Sequence, residues 1–395
     1  MNSRAKNIFV FILITGFFIV PFPYKDLPAQ IKGEDIVVGK KIKMYSKIYG
    51  QDIRLSVYLP KNYENSENKY PVLFGIDVYD LHTLGTLDHL SRGQIPKIIY
   101  VHIVDYKAGD LSPTKLENRP ETGNADRFLA FFKEELIPFI ESNYRTEPFR
   151  ILRCHYMGGL FSLYALLTQP DIFNACIAST PWFIYDKEEK FILKNAGIFL
   201  AEKRFKNNFL VMGIGNDPDP GLRESYIEFT KILDENPQEG LRVFHRILDE
   251  EDHYSIGHRT LYDGLKWIFK EWREIPQSVL DAGFDGLKSY KETLAEIYGY
   301  DIGINQAPLG GYAYRMLSEK QYDKAINVFR YIIQNMEARY FHYEWIARAY
   351  ENTGQLELAL KNFQTAHDMA KEVSTRSLDR IQTSVERVKK KISEK

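Results

Sequence analysis

Apolar and polar positions alternate with period two over Lys40–Ser46 and Asp52–Leu59, on either side of Tyr49-Gly50-Gln51, which predicts an antiparallel hairpin. The apolar runs Pro71–Ile76 and Ile98–Val104 lack that alternation and predict buried strands of a mainly parallel sheet. Phe128, Phe131, Phe132, Leu136 and Ile140 recur at helical spacing, so Ala125–Ser142 reads as a helix. A strand over Arg150–Cys154 and a helix over Leu160–Leu167 follow. Three more strands fall at Ala175–Ser179, Phe209–Ile214 and Arg242–Leu248, and a helix over Tyr262–Trp272 closes the series. Strands alternating with helices predict a doubly wound, mostly parallel sheet with its ligand site at the carboxyl ends of the strands.

Beyond Trp272 the pattern is helical throughout. Ala313, Ala325 and Phe329 recur as Ala347, Ala359 and Phe363, each 34 residues later (347 − 313, 359 − 325, 363 − 329). This period resembles a tetratricopeptide array, a device for protein contacts. Flanking helices over Gln277–Tyr298 and Arg376–Lys391 are expected to cap it, and Lys389-Lys-Lys391 reads as a solvated helix end. The chain thus divides into an α/β domain over 36–273 and a small all-α domain over 277–395.

With 395 residues, two domains are the ordinary expectation, and a net charge of -1 offers nucleic acid no electrostatic attraction. The N-terminus adds one element. Arg4 and Lys6 precede an apolar run from Ile8 to Val20, the pattern of an export signal over 1–29. An uncleaved membrane anchor is the alternative, and an exported protein, periplasmic or secreted, is expected either way. Cys154 and Cys176 fall at opposite ends of neighbouring strands, an offset that disfavours a disulfide.

The chemistry concentrates at Cys154-His155-Tyr156-Met157-Gly158-Gly159, between a strand and a helix. A nucleophile elbow needs that context, with small residues two before and two after the nucleophile. Here the chain resembles the enterochelin-esterase and esterase D group of α/β-hydrolases, whose turn reads Gly-His-Ser-x-Gly-Gly. Tyr58-Leu-Pro60, Tyr70-Pro-Val72, Asp110-Leu-Ser-Pro-Thr114, Ala125-Asp-Arg-Phe128, Glu135-Leu-Ile-Pro138 and Asn143-Tyr-Arg145 extend the resemblance in the group's order. The resemblance implies an α/β-hydrolase fold and an acyl or ester ligand, with no cofactor and no metal. It places the serine nucleophile on Tyr156 and the general base on His253, within Glu250-Glu-Asp-His-Tyr-Ser255. The acid that orients the base is expected after strand Phe209–Ile214, with Asp217 favoured over Glu224 and Asp219 also present. Met157 and the loop at Asp77-Val78 fall at the oxyanion side of the cleft, and Val78 replaces a glycine of the group. A tyrosine at the elbow predicts impaired hydrolysis, because an acyl-phenol costs more to form than an acyl-serine and the ring fills the acyl site. The alternative is an ester hydrolase that uses Tyr156 itself or a water activated by His253.

Overall fold

The computed structural model describes residues 36–76, 80–186, 189–217, 219–371 and 375–394. Residues 39–395 form one compact unit. The expected leader or anchor over 1–29 lies outside the described residues.

The described strands are β1 Lys40–Ser46, β2 Gln51–Tyr58, β3 Tyr70–Ile76, β4 Ile99–Ile103, β5 Thr146–His155, β6 Ala175–Ser179, β7 Asn208–Gly215 and β8 Leu241–Leu248. They make one sheet in the order β1-β2-β4-β3-β5-β6-β7-β8. β1 and β2, and β2 and β4, pair antiparallel, and every later pair is parallel. This is the mostly parallel, doubly wound sheet expected from the alternation of strands and helices.

Helices cover both faces, because alternate residues of each strand point opposite ways. On β5, Leu152 and Cys154 join the core under α2 Ala125–Phe131, α3 Ile137–Asn143, α4 Met157–Thr168, α5 Phe191–Glu202 and α6 Pro220–Glu235. Phe149 and Ile151 enter a second core with α1 Asp80–Leu90 and α7 Ile256–Ile268. α1, α5 and α6 were not placed individually from the sequence.

Two helices differ from their expected extents for identifiable reasons. The single helix expected over Ala125–Ser142 opens into a π-turn at Phe132–Leu136, where the Ile137 N–H donates to Phe132 O. Pro138 follows, and having no N–H it cannot continue the ordinary ladder. The helix expected over Tyr262–Trp272 instead begins at Ile256 and breaks at Phe269 before the short α8 Lys270–Arg273.

The remaining helices are α9 Gln277–Asp281, α10 Gly283–Tyr298, α11 Gln306–Ser318, α12 Tyr322–Asn335, α13 Tyr340–Asn352, α14 Leu356–Ala370 and α15 Thr375–Ser393. α13 and α14 begin 34 residues after α11 and α12 (340 − 306, 356 − 322). The second core runs unbroken from the sheet into these helices. Tyr298 marks the junction: its ring packs on Phe149, Phe209 and Phe269, with centroids 5.7, 6.1 and 5.4 Å away. Its hydroxyl donates to Ile268 O at 2.9 Å.

Candidate active site

The site is assembled from the carboxyl ends of β5, β7 and β8. β5 runs to His155, and the chain turns through Tyr156 directly into α4. Tyr156 sits at φ 53°, ψ −112°, a strained backbone for a residue with a Cβ. The strain is held by three backbone hydrogen bonds. Its N–H donates to Ser179 O at 2.9 Å, and its carbonyl accepts from Leu160 N and Trp182 N, both at 3.1 Å. Gly159 lets the turn sit this close to β6, since a Cβ there would lie 2.9 Å from Ser179 O.

β7 ends at Gly215 and delivers Asp217 to the cleft. A Cβ on Gly215 would stand 2.4 Å from Glu251 O, so only glycine lets the β7 and β8 loops meet there. The Asn216 N–H donates to that carbonyl at 2.7 Å and ties the two loops together. On the β8 loop, Asp252 Oδ1 accepts from the N–H groups of Tyr254 and Ser255. Those bonds hold the Asp252 carboxyl below its usual range and lock the turn that carries His253.

His253 Nδ1 lies 2.7 Å from Asp217 Oδ2, and the Asp217 side chain is almost fully buried. Of the carboxylates expected near this loop, Asp217 is the one that meets the imidazole. Asp219 caps α6 by accepting from Gly221 N, and Glu224 is exposed on that helix.

The other imidazole nitrogen has an unexpected partner. His253 Nε2 lies 3.3 Å from His155 Nε2. With Asp217 accepting from Nδ1–H, His253 Nε2 carries the lone pair and His155 donates Nε2–H to it. Burial first, then the neighbouring His253 and Arg153, push the His155 pKa down to about 4, so His155 stays neutral. His155 lies within the elbow motif, but nothing in the sequence marks it as a partner of His253.

Tyr156 stacks on Trp182, with ring centroids 4.6 Å apart and planes 13° from parallel. The same ring meets His253 edge-on, at 5.2 Å and 77°. Burial, then Asp217 and Asp219, raise the phenol pKa, which keeps Tyr156 protonated. Trp182 was not anticipated either: it follows β6, and no local motif marks it. Met157 opens α4 with its side chain in the core, leaving its backbone N–H as the group it can offer the cleft. Ser162 is buried and donates to Gly159 O at 2.8 Å, inside the helix. Cys154 and Cys176 are both buried and are not joined by a disulfide. Asp77 and Val78 lie outside the described residues. Among the described residues no group of three or more His, Cys, Asp or Glu is gathered to hold a metal, and no helix is long and apolar enough to cross a membrane.

Residues 46–254 match the family described as "Putative esterase", more than half of the chain. The chain belongs to that family. Curated relatives align over shorter stretches. The ferri-bacillibactin esterase BesA of Bacillus subtilis is 41% identical over 90 residues, 22% of this chain and 30% of the relative. A siderophore enterobactin esterase of Emericella nidulans is 38% identical over 88 residues, 20% of this chain and 26% of the relative. The chain therefore spans less than a third of the length of either. Among solved structures, an IroE-like serine hydrolase from Shewanella oneidensis is 25% identical with a TM-score of 0.64, covering 73% of this chain and 97% of its own. An uncharacterised protein from Capnocytophaga ochracea shares the fold at 16% identity, with a TM-score of 0.66 over 89% of this chain and 99% of its own.

Proposed function

We propose that this chain is an exported, hydrolytically impaired member of the esterase family that keeps its cleft as a binding site for an acyl or ester ligand. The observation that carries the reading is the occupancy of the elbow. Tyr156 takes the strained position where the family resemblance puts serine, and its ring, not a bonded hydroxyl, faces His253. The base that would take a nucleophile's proton is turned to His155 instead. Removal of a triad nucleophile costs about 10⁶ in turnover in a well-studied protease, and what remains comes from oxyanion stabilisation and binding. A protonated phenol stacked on Trp182 is a poor substitute for serine. The named relatives that hydrolyse siderophore esters support a ligand of that class, and Tyr156, Trp182 and His253 offer it aromatic faces. The basic-then-apolar N-terminus supports action outside the cytoplasm.

One observation favours a working hydrolase: the 2.7 Å contact that orients His253 on Asp217 is intact. In that reading His253 activates a water, or Tyr156 attacks and forms a covalent adduct.

The deciding experiment is Tyr156→Ser, assayed on a panel of activated and siderophore-type esters. Gained turnover that disappears again on adding His253→Ala supports a domain silenced at one residue. Wild-type turnover that is lost with His253→Ala supports the working-hydrolase reading, by water activation where Tyr156→Ser retains it and by tyrosine attack where Tyr156→Ser loses it.

A further inference from the structure

The helical region holds a groove of about 660 Å³ whose walls come from alternate helices, α11, α13 and α15, and the start of α12. The stacked helices of repeat arrays build concave binding surfaces of this kind. Its chemistry is set by two carboxylates on α13, Glu344 buried and Glu351 with its side chain largely covered. Glu344 is 1% exposed and receives Arg380 Nη2 at 2.8 Å and Arg348 Nη2 at 2.6 Å. The Glu351 side chain is 8% exposed and receives Arg387 Nε at 2.9 Å and Nη2 at 2.8 Å, and Lys391 Nζ at 2.8 Å. Lys391, expected as a solvated helix end, is thus fixed against α13.

Each glutamate is shared by two cations, so the cluster holds four positive charges against two negative (4 − 2 = +2). The chain as a whole carries -1, so this excess is a local feature. Burying carboxylates costs stability unless the partners are held in good geometry. Here the bidentate pairs fix Arg380 and Arg387 in place while both remain about half exposed at the groove. The arrangement also repeats. Glu344 and Glu351 are seven residues apart on α13, as are Arg380 and Arg387 on α15 (351 − 344, 387 − 380). Two helical turns put the rungs about 10.5 Å apart. In a polyproline II chain, carboxylates three residues apart share a face and lie about 9.3 Å apart.

We propose that this groove binds an extended acidic peptide segment of a protein partner, with carboxylates at i and i+3 meeting the Arg348/Arg380 and Arg387/Lys391 rungs. Tyr314 and Tyr322 flank the channel as aromatic walls. A single channel with two spaced rungs fits a narrow peptide better than a membrane or a duplex, which need broad basic faces.

The test is fluorescence anisotropy on the full chain, with a labelled peptide of the Glu-Pro-Pro triplet repeated three times. The peptide is expected to bind, more weakly as salt rises. A matching peptide with glutamine for glutamate is expected to bind about tenfold or more weakly, the loss of charge-assisted hydrogen bonds. Arg348→Gln leaves Glu344 paired with Arg380, and Arg387→Gln leaves Glu351 paired with Lys391, so each variant removes one positive charge without leaving a carboxylate unpaired. Each is expected to weaken the acidic peptide with circular dichroism unchanged. Equal binding of both peptides, no binding of either, or binding unmoved in folded variants overturns the proposal. So does equally tight binding of a single-stranded oligonucleotide of the same charge.

Discussion

His253 Nε2 lies 3.3 Å from His155 Nε2, so the nitrogen that a hydrolase turns toward its nucleophile is here turned toward a second imidazole. The Asp217 contact at the opposite nitrogen fixes which ring donates. In solution His253 is expected as the Nδ1–H tautomer and His155 as the Nε2–H tautomer at neutral pH. Long-range ¹H–¹⁵N correlation spectra distinguish the two. A His253 ring protonated at Nε2 in the neutral form contradicts this assignment.

The same pair makes stability depend on acid. His155 stays neutral down to about pH 4 in the folded chain, whereas an unfolded histidine titrates near 6.5. Between those values the unfolded state binds the extra proton, so stability rises with pH and is lost as pH falls from 6.5 to 4. At about 1.36 kcal/mol per pKa unit, the loss from His155 is on the order of 3 kcal/mol. His342, buried with Nδ1 accepting from Arg339 N–H at 2.9 Å, is pushed down to about 4 by burial and then Arg339, and acts in the same direction. Urea unfolding at pH 7 and pH 5 measures the slope. His155→Gln should flatten it; an unchanged slope contradicts the burial of a neutral ring.

Tyr298 links the helical region to the sheet. Tyr298→Ala is expected to cost about 3–5 kcal/mol as a cavity in a packed aromatic cluster, and Tyr298→Phe about 1 kcal/mol for the bond to Ile268 O. Because one core spans both parts, wild type is expected to unfold in a single calorimetric transition. Two separate transitions, with Tyr298→Ala moving only one, contradict a shared core.

Much of this was legible in the residues. The strands showed as apolar runs because parallel strands bury both faces, as in β3, where every residue is buried. That Asp217 and His253 come together was legible through the family resemblance, which puts the acid and the base after strands that end at the cleft. The π-turn was hidden, since Phe128, Phe131 and Phe132 satisfy a helical period whether or not the ladder slips at Pro138. His155 and Trp182 were hidden for another reason. Their roles come from what reaches them across the sheet, His253 from β8 and Tyr156 from β5, and local pattern carries no record of that. Asp77 and Val78 stay as sequence expectations outside the described residues.

The most direct test of the central claim is the wild-type chain itself, offered p-nitrophenyl acetate and a fluorophosphonate probe at neutral pH. Turnover at the level of the His253→Ala variant and no adduct at Tyr156 is the predicted result. Turnover abolished by His253→Ala, or a phosphonylated Tyr156 by mass spectrometry, contradicts it.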